Sequence, residues 1–203
     1  MTKVETPALR SLPKELRDQT RREEILDAAS RCVVRRGFHA ASMAEIAGNA
    51  AMSVGQIYRY FTSKEAIVHA LVERIVDNRL AWIETHDVLR ARLPAELAQR
   101  LTTPEEPQHR EEKVLMMEVT AEATRNPEVA RILRAADERL RDTAAELIQR
   151  AFPELTGSEL LARLELIAAL AEGTALRRIT GITREQERLS DVYRRVFEAA
   201  FPP

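Results

Sequence analysis

Residues 42–65 hold the densest set of side chains suited to recognition chemistry in this chain. Their spacing predicts two short helices joined by a tight turn, with a longer helix starting at the end of the segment. The second short helix carries Gln56, Tyr58, Arg59 and Tyr60, more donors, aromatics and charge than so short a helix needs for packing. Gln56 and Tyr58 would face outward with Arg59, and a glutamine amide can pair with adenine through two hydrogen bonds. Tyr60 and Lys64 lie where a hydroxyl and an ammonium could hold phosphates, and the helix start at Ser42 offers free N–H groups to another. Ile46 and Ala47 on the first helix, and Ile57 and Phe61 four apart on the second, are left to pack inward. This is the division of labour of a helix-turn-helix, in which one helix crosses the backbone and the next reads base edges. The plainer reading is a helical hairpin with tyrosines on its surface.

The elements that must position these residues are all helical. A helix is expected from about Asp18 to Arg36, with Ile25, Ala28, Ala29, Cys32 and Val33 as its apolar stripe and Arg35–Arg36 before Gly37 at its negative end. Ser42 is the expected N-cap of the next helix, with Glu45 completing a capping box. Ser53 caps Val54–Phe61, and Ser63 caps a long helix from Lys64 to about His86. That helix is apolar on two sides, so it is expected to join two packed bodies. Pro94 opens a short helix to about Leu101, and Thr102–His109 is expected to interrupt the chain. Helices follow at about Glu111–Arg125, from Pro127 to about Phe152, from a Ser158 cap to about Thr180, and from a Thr183 cap to about Phe201. The reading is an all-α chain of about nine helices: a basic arm over 1–16, a helix-turn-helix domain over 17–65, and a second helical domain over 66–203.

Composition supports a folded helical protein. The chain has 203 residues, 45% hydrophobic and 31% charged, with only six glycines, enough to bury a core without disulfides or metal. The net charge of −1 conceals an excess of basic residues up to Lys64 and of acidic residues after it, a weak sign of a polyanion-binding front. One cysteine permits no internal disulfide and suits a reducing compartment, and Cys32 on its apolar stripe reads as core. No signal-like or membrane-spanning apolar run is present, so a cytoplasmic location without membrane contact is expected. Histidines 39, 69, 86 and 109 have no zinc-ligand spacing. No catalytic triad, phosphate loop or paired-carboxylate arrangement is evident, so neither a metal, a cofactor nor an enzymatic activity is expected.

The segments Arg21-Arg22-Glu23-Glu24-Ile25-Leu26-Asp27-Ala28-Ala29, Gly37-Phe38, Ser42-Met43-Ala44-Glu45-Ile46-Ala47, Ser53-Val54-Gly55-Gln56-Ile57-Tyr58-Arg59-Tyr60-Phe61 and Ser63-Lys64-Glu65 together resemble the TetR/AcrR family of bacterial repressors. The match runs in register over about residues 17–70. The resemblance implies an all-helical homodimer that binds double-stranded DNA and carries a C-terminal effector-binding and dimerisation domain. By position it implies a phosphate contact at Ser42, base or backbone contacts at Ser53, Val54, Gln56 and Tyr58, with Arg59 beside them, and phosphate contacts at Tyr60 and Lys64. One departure stands out: the turn usually has glycine where this chain has Ala51. A left-handed alanine there costs roughly 1 kcal/mol.

Beyond about residue 75 the resemblance is weak. Leu189, Val192, Tyr193, Val196 and Phe197 form a stripe at helical spacing, preceded by the small residues Ala168, Ala169, Ala171, Gly173 and Ala175. The expected use is a twofold interface; the alternative is intramolecular core. Trp82, His86, Met116, Met117, Thr120 and Phe152 are candidates for an apolar pocket that takes a small-molecule effector, each also readable as core. The resulting expectation is a ligand-responsive regulator, a repressor released from a palindromic operator by an apolar or amphipathic effector. The alternatives are a DNA-binding regulator or architectural protein without an effector, an activator, and an enzyme on a helical scaffold.

Overall fold

The computed structural model describes residues 13–85, 90–103, 107–182 and 186–201, without the side chains of 82–85, 107–108 and 186–187. Among the described residues there are nine helices and no strand: α1 (Lys14–Arg36), α2 (Met43–Asn49), α3 (Val54–Tyr58), α4 (Lys64–Thr85), α5 (Leu93–Thr102), α6 (Pro107–Ala123), α7 (Pro127–Ala151), α8 (Gly157–Ile179) and α9 (Gln186–Ala200). The all-α reading holds. No described helix is long and apolar enough to cross a membrane.

The chain packs as two compact units that do not follow chain order. One takes residues up to Ile75 together with Glu111–Arg134; the other takes Val76–Arg110 and Ala135–Pro203. In the first, the α1 stripe Ile25, Ala28, Ala29, Cys32 and Val33 is buried, as the periodicity predicts. Phe38, Ile46, Ala47, Ile57 and Phe61 are buried in the same unit, with Ile67, Val68, Leu71 and Val72 of α4 and Leu115 and Val119 of α6. The second unit is built around Phe152, Phe197 and Phe201 with Leu93, Ile148, Leu155, Leu160 and Leu164. There α5 packs chiefly on α9 and also on α8, and Phe152 and Phe201 meet with ring centroids 5.5 Å apart.

Local signals explain most helix ends, and several differ from expectation. Pro13 is extended, and α1 starts immediately after it at Lys14, earlier than Asp18, because Lys-Glu-Leu-Arg favours helix. Pro107 does not interrupt the chain but opens α6, since a proline in the first turn lacks only an N–H that has no helical partner anyway. Asn126 caps α7, its side chain accepting from the backbone N–H of Glu128 at 3.1 Å and of Val129 at 3.3 Å. Ser158 is not a cap: Thr156 occupies that position, without a side-chain cap bond. Thr183 and His86 lie outside the described residues.

The α2–α3 turn depends on Ala51, whose φ is 53°. The Ala51 N–H donates to Gly48 O (3.2 Å) and the Met52 N–H to Ala47 O (2.9 Å), which is the Schellman closure of a helix C-terminus. The same pair of bonds closes α8 around Gly181, from Gly181 N to Arg178 O and from Ile182 N to Arg177 O, where φ is 69°. One motif therefore carries alanine at one end of the chain and glycine at the other. Open space surrounds Gly181, so backbone conformation alone sets the difference there. Ala51→Gly is expected to stabilise the protein and Gly181→Ala to destabilise it, each by about 1 kcal/mol, read as opposite shifts of the urea midpoint at constant slope.

Candidate nucleic-acid interface

The α1 face sets the angle of α2. Arg36 Nη1 lies 3.4 Å from Glu45 Oε1, and Arg35 Nη2 donates to Asn49 Oδ1 at 2.7 Å. Ser42 caps α2 by accepting the Glu45 N–H at 3.1 Å; the Glu45 carboxylate itself turns toward Arg36. The complete capping box stands one helix later, at Ser53–Gln56. Because Ser42 is exposed and uses its oxygen as acceptor, its hydroxyl hydrogen remains available to a phosphate oxygen.

The α-helical part of α3 is only five residues long, shorter than the expected Val54–Phe61. The chain beyond it winds more tightly: Arg59 N donates to Gln56 O (3.2 Å) and Tyr60 N to Ile57 O (2.9 Å), before Phe61 N returns to Ile57 O at 3.0 Å. This winding keeps Ile57 and Phe61 on the buried side. The opposite side is open: Tyr58 is 51% and Val54 38% exposed, and Ser53, Gln56 and Arg59 are exposed with them. The hydroxyphenyl group of Tyr58 thus stands half in water on a short helix, beside an exposed guanidinium and an exposed amide, and is not core.

Two of the expected phosphate contacts are engaged within the chain. Lys64 is half-buried; its Nζ donates to Phe38 O at 2.9 Å and lies 4.2 Å from the Phe38 ring centroid. Its remaining ammonium hydrogens are what a phosphate can use. Tyr60 is half-buried, its hydroxyl 3.4 Å from Asp18 Oδ1. Burial, and next the Asp18 charge, push that hydroxyl above the usual tyrosine pKa, so it keeps its proton as a donor. Its backbone carbonyl accepts from Arg22 Nη1 at 2.8 Å, and the Arg22 guanidinium covers the Phe61 ring at 4.3 Å. These contacts tie α1 to the end of α3.

Residue-by-residue reading missed one positioning contact. Glu118 Oε2, on α6, accepts the Phe38 N–H at 3.3 Å. A Cβ on Gly37, whose φ is +81°, would come within 3.0 Å of that oxygen. The positive φ therefore favours glycine at 37, and a larger residue there would also displace the Glu118 carboxylate slightly. With Lys64 on its carbonyl and ring, Phe38 is held on both backbone polar groups. The only sequence signal was Gly37 after Arg35–Arg36, which marks a helix end and says nothing of α6.

The other candidates separate. Met116 and Met117 are half-buried and Thr120 is exposed on α6, while Phe152 is fully buried in the core of the second unit. The Trp82 side chain and His86 lie outside what is described. Open crevices among the described residues include one lined by residues including Ser63, His69, Asn126 and Arg131 and another lined by residues including Arg90, Pro94 and Phe201; Met116, Met117, Thr120 and Phe152 line neither. In the α9 stripe, Phe197 corrects the expectation of an intersubunit residue, because it is fully buried in its own chain. Tyr193 is half-buried and its hydroxyl pairs with Thr174 Oγ1 at 2.6 Å. Val192 remains 44% exposed, and Val196 is exposed beside it. Leu166 and Leu176 of α8 are exposed as well, among the alanines whose small size marks that helix in the sequence. Among the described residues no group of His, Cys, Asp and Glu could hold a metal ion.

A short helix packed on α1 and closed by a Schellman turn, followed by a capped helix with a polar, aromatic outer face, is a helix-turn-helix unit in an all-helical protein. Residues 25–71 match the family of bacterial regulatory proteins of the tetR type, and residues 86–202 match the C-terminal region of BetI-type transcriptional repressors. The chain belongs to the TetR family of transcriptional regulators. The HTH-type transcriptional regulator UidR of Escherichia coli K12 is 32% identical over 123 residues, which cover 57% of this chain and 58% of UidR; the match thus spans less than two thirds of that relative. Salmonella enterica GusR has the same fold, with a TM-score of 0.76 at 22% identity over 95% of this chain and 99% of its own. A transcriptional regulator from Saccharomonospora viridis, solved in complex with choline, superposes with a TM-score of 0.68 at 24% identity, covering 89% of this chain and 96% of that one.

Because Tyr58 is 51% exposed, Tyr58→Ala is expected to leave unfolding stability within about 0.5 kcal/mol while weakening binding to specific duplex DNA. Ile57→Ala is expected to lower stability by about 2–5 kcal/mol and to lose DNA binding with it. Parallel melting and fluorescence-anisotropy titrations separate the two effects.

Proposed function

We propose that this chain is a ligand-responsive repressor that binds a palindromic operator as a homodimer in the cytoplasm, with no catalytic activity. The observation that carries the reading is the outer face of α3: Val54, Gln56, Tyr58 and Arg59 stand exposed on a helix whose inner face is fully used by Ile57 and Phe61. Such a helix presents its exposed side chains to the major groove, while Ser42, Ser53 and Lys64 supply hydroxyl and ammonium donors to phosphates, and Tyr60 does so by exchanging its Asp18 partner for a phosphate oxygen. Dimerisation is supported by exposed Leu166, Leu176, Val192 and Val196 on the two helices that family members pair around a twofold axis. A dimer places two copies of α3 one helical turn of DNA apart, at about 34–36 Å.

A small-molecule effector is the second part of the proposal. It is supported by the choline held in the Saccharomonospora viridis neighbour and by half-buried Met116 and Met117 on α6, which lie two residues and one residue before Glu118. An effector releases the protein from DNA only to the extent that it binds the DNA-incompetent state more tightly. The contact from Glu118 to the Phe38 N–H is a direct path from α6 to the turn that enters α2.

The test is an anisotropy titration of duplexes from the region upstream of the chain's own gene. Sequence-specific binding is expected, with affinity falling steeply as salt rises through counterion release. Binding equal to that of random duplex would contradict the reading. For the dimer, sedimentation equilibrium is expected to give twice the chain mass, and Val192→Glu or Leu176→Glu is expected to shift it toward the monomer. A wild-type monomer at micromolar concentration would contradict the assembly.

A further inference from the structure

The Ser53–Gln56 capping box fixes more than the start of α3. The Gln56 N–H donates to Ser53 Oγ at 3.2 Å, and the Ser53 N–H donates to Gln56 Oε1 at 2.8 Å. The Ser53 N–H is a donor, so the Gln56 atom that meets it must be the carbonyl oxygen; the amino group, Nε2, is the other arm. Gln56 is exposed, so that arm is accessible. Two-bond pairing with adenine needs both arms on one edge facing the base, the oxygen to N6 and the nitrogen to N7. Here the oxygen is turned back onto the helix start. Freeing it would strip the first turn of a five-residue helix of one of its two side-chain cap bonds, in a helix far too short to hold itself together.

We propose that Gln56 determines specificity at one base of each half-site as a hydrogen-bond donor only. It selects bases with an acceptor on the major-groove edge, foremost guanine (O6 and N7) and thymine (O4), and rejects cytosine, whose major-groove polar group is the N4 amino donor. This replaces the adenine pairing expected from residue type alone, and it rests on the reading of α3 as the major-groove helix.

Gln56→Glu tests it, because a glutamate keeps the acceptor for the Ser53 N–H and presents a second acceptor where the amino group was. An operator is first selected from random duplexes by the wild-type full-length chain. Dissociation constants are then measured at fixed salt for every single base-pair substitution, with wild type and Q56E. The expected result is one position per half-site where cytosine weakens wild type about tenfold relative to guanine or thymine, and where cytosine becomes the preferred base of Q56E. If Q56E binds no duplex, Gln56→Ala decides: loss of the cytosine penalty at that one position supports the proposal, and an unchanged penalty overturns it. Wild-type preference for adenine over guanine and thymine by about tenfold at the position that responds to Gln56 would overturn it, as would Q56E weakening all duplexes equally with the base ranking unchanged. Failure of the wild type to select any sequence would overturn the major-groove reading itself; a selected operator with no position responding to Gln56 overturns only this inference.

Discussion

A five-residue helix has no stability of its own. Helix nucleation is unfavourable, and isolated helices shorter than about 12–15 residues are marginal in water. Everything that α3 can present to DNA therefore depends on the burial of Ile57 and Phe61 in the core that α1 shares with α2, α4 and α6. Full burial of two such side chains contributes about 1.5–3 kcal/mol each, more than capping or intrinsic propensity supplies. The polar contacts then fix orientation: Arg35 and Arg36 on α2, Arg22 on the end of α3, and Lys64 with Glu118 on Phe38. Burial makes the unit exist, and these bonds decide how its outer face is aimed.

The recognition half was legible because its signals are local. Ser42 and Ser53 stand where a helix start needs an oxygen, the pair Ile57 and Phe61 marks an inner face, and what is left over marks the outer one. Even the left-handed Ala51 could be anticipated, since the turn between two helices that close together has few solutions. What escaped was contact across long sequence distance. Glu118 meets Phe38 across 80 positions, and neither residue type announces a partner. Two of the expected phosphate donors, Tyr60 and Lys64, also have partners within the chain that residue type could not reveal.

The second half was less legible because apolar periodicity does not say what a stripe packs against. The α9 stripe reads as one surface, yet Phe197 is wholly intramolecular and Tyr193 is tied to Thr174, while Val192 and Val196 face outward. Helix boundaries fail where a residue serves two roles: Pro107 reads as a break but opens α6, and Ser158 reads as a cap although Thr156 holds that position. Residue type could not separate the pocket candidates from core, because a methionine or phenylalanine at helical spacing suits a core and a cavity equally. Thr120 proves exposed and Phe152 fully buried, the two extremes that one apolar reading had joined.

In the proposed complex α3 enters the major groove twice, once from each subunit. Methylation interference on the selected operator tests this directly, because guanine N7 methylation blocks the major groove and adenine N3 methylation the minor. Interference at guanine N7 is expected in two successive major grooves, centred about 10 base pairs apart. Interference confined to adenine N3, or to a single major groove, would contradict it.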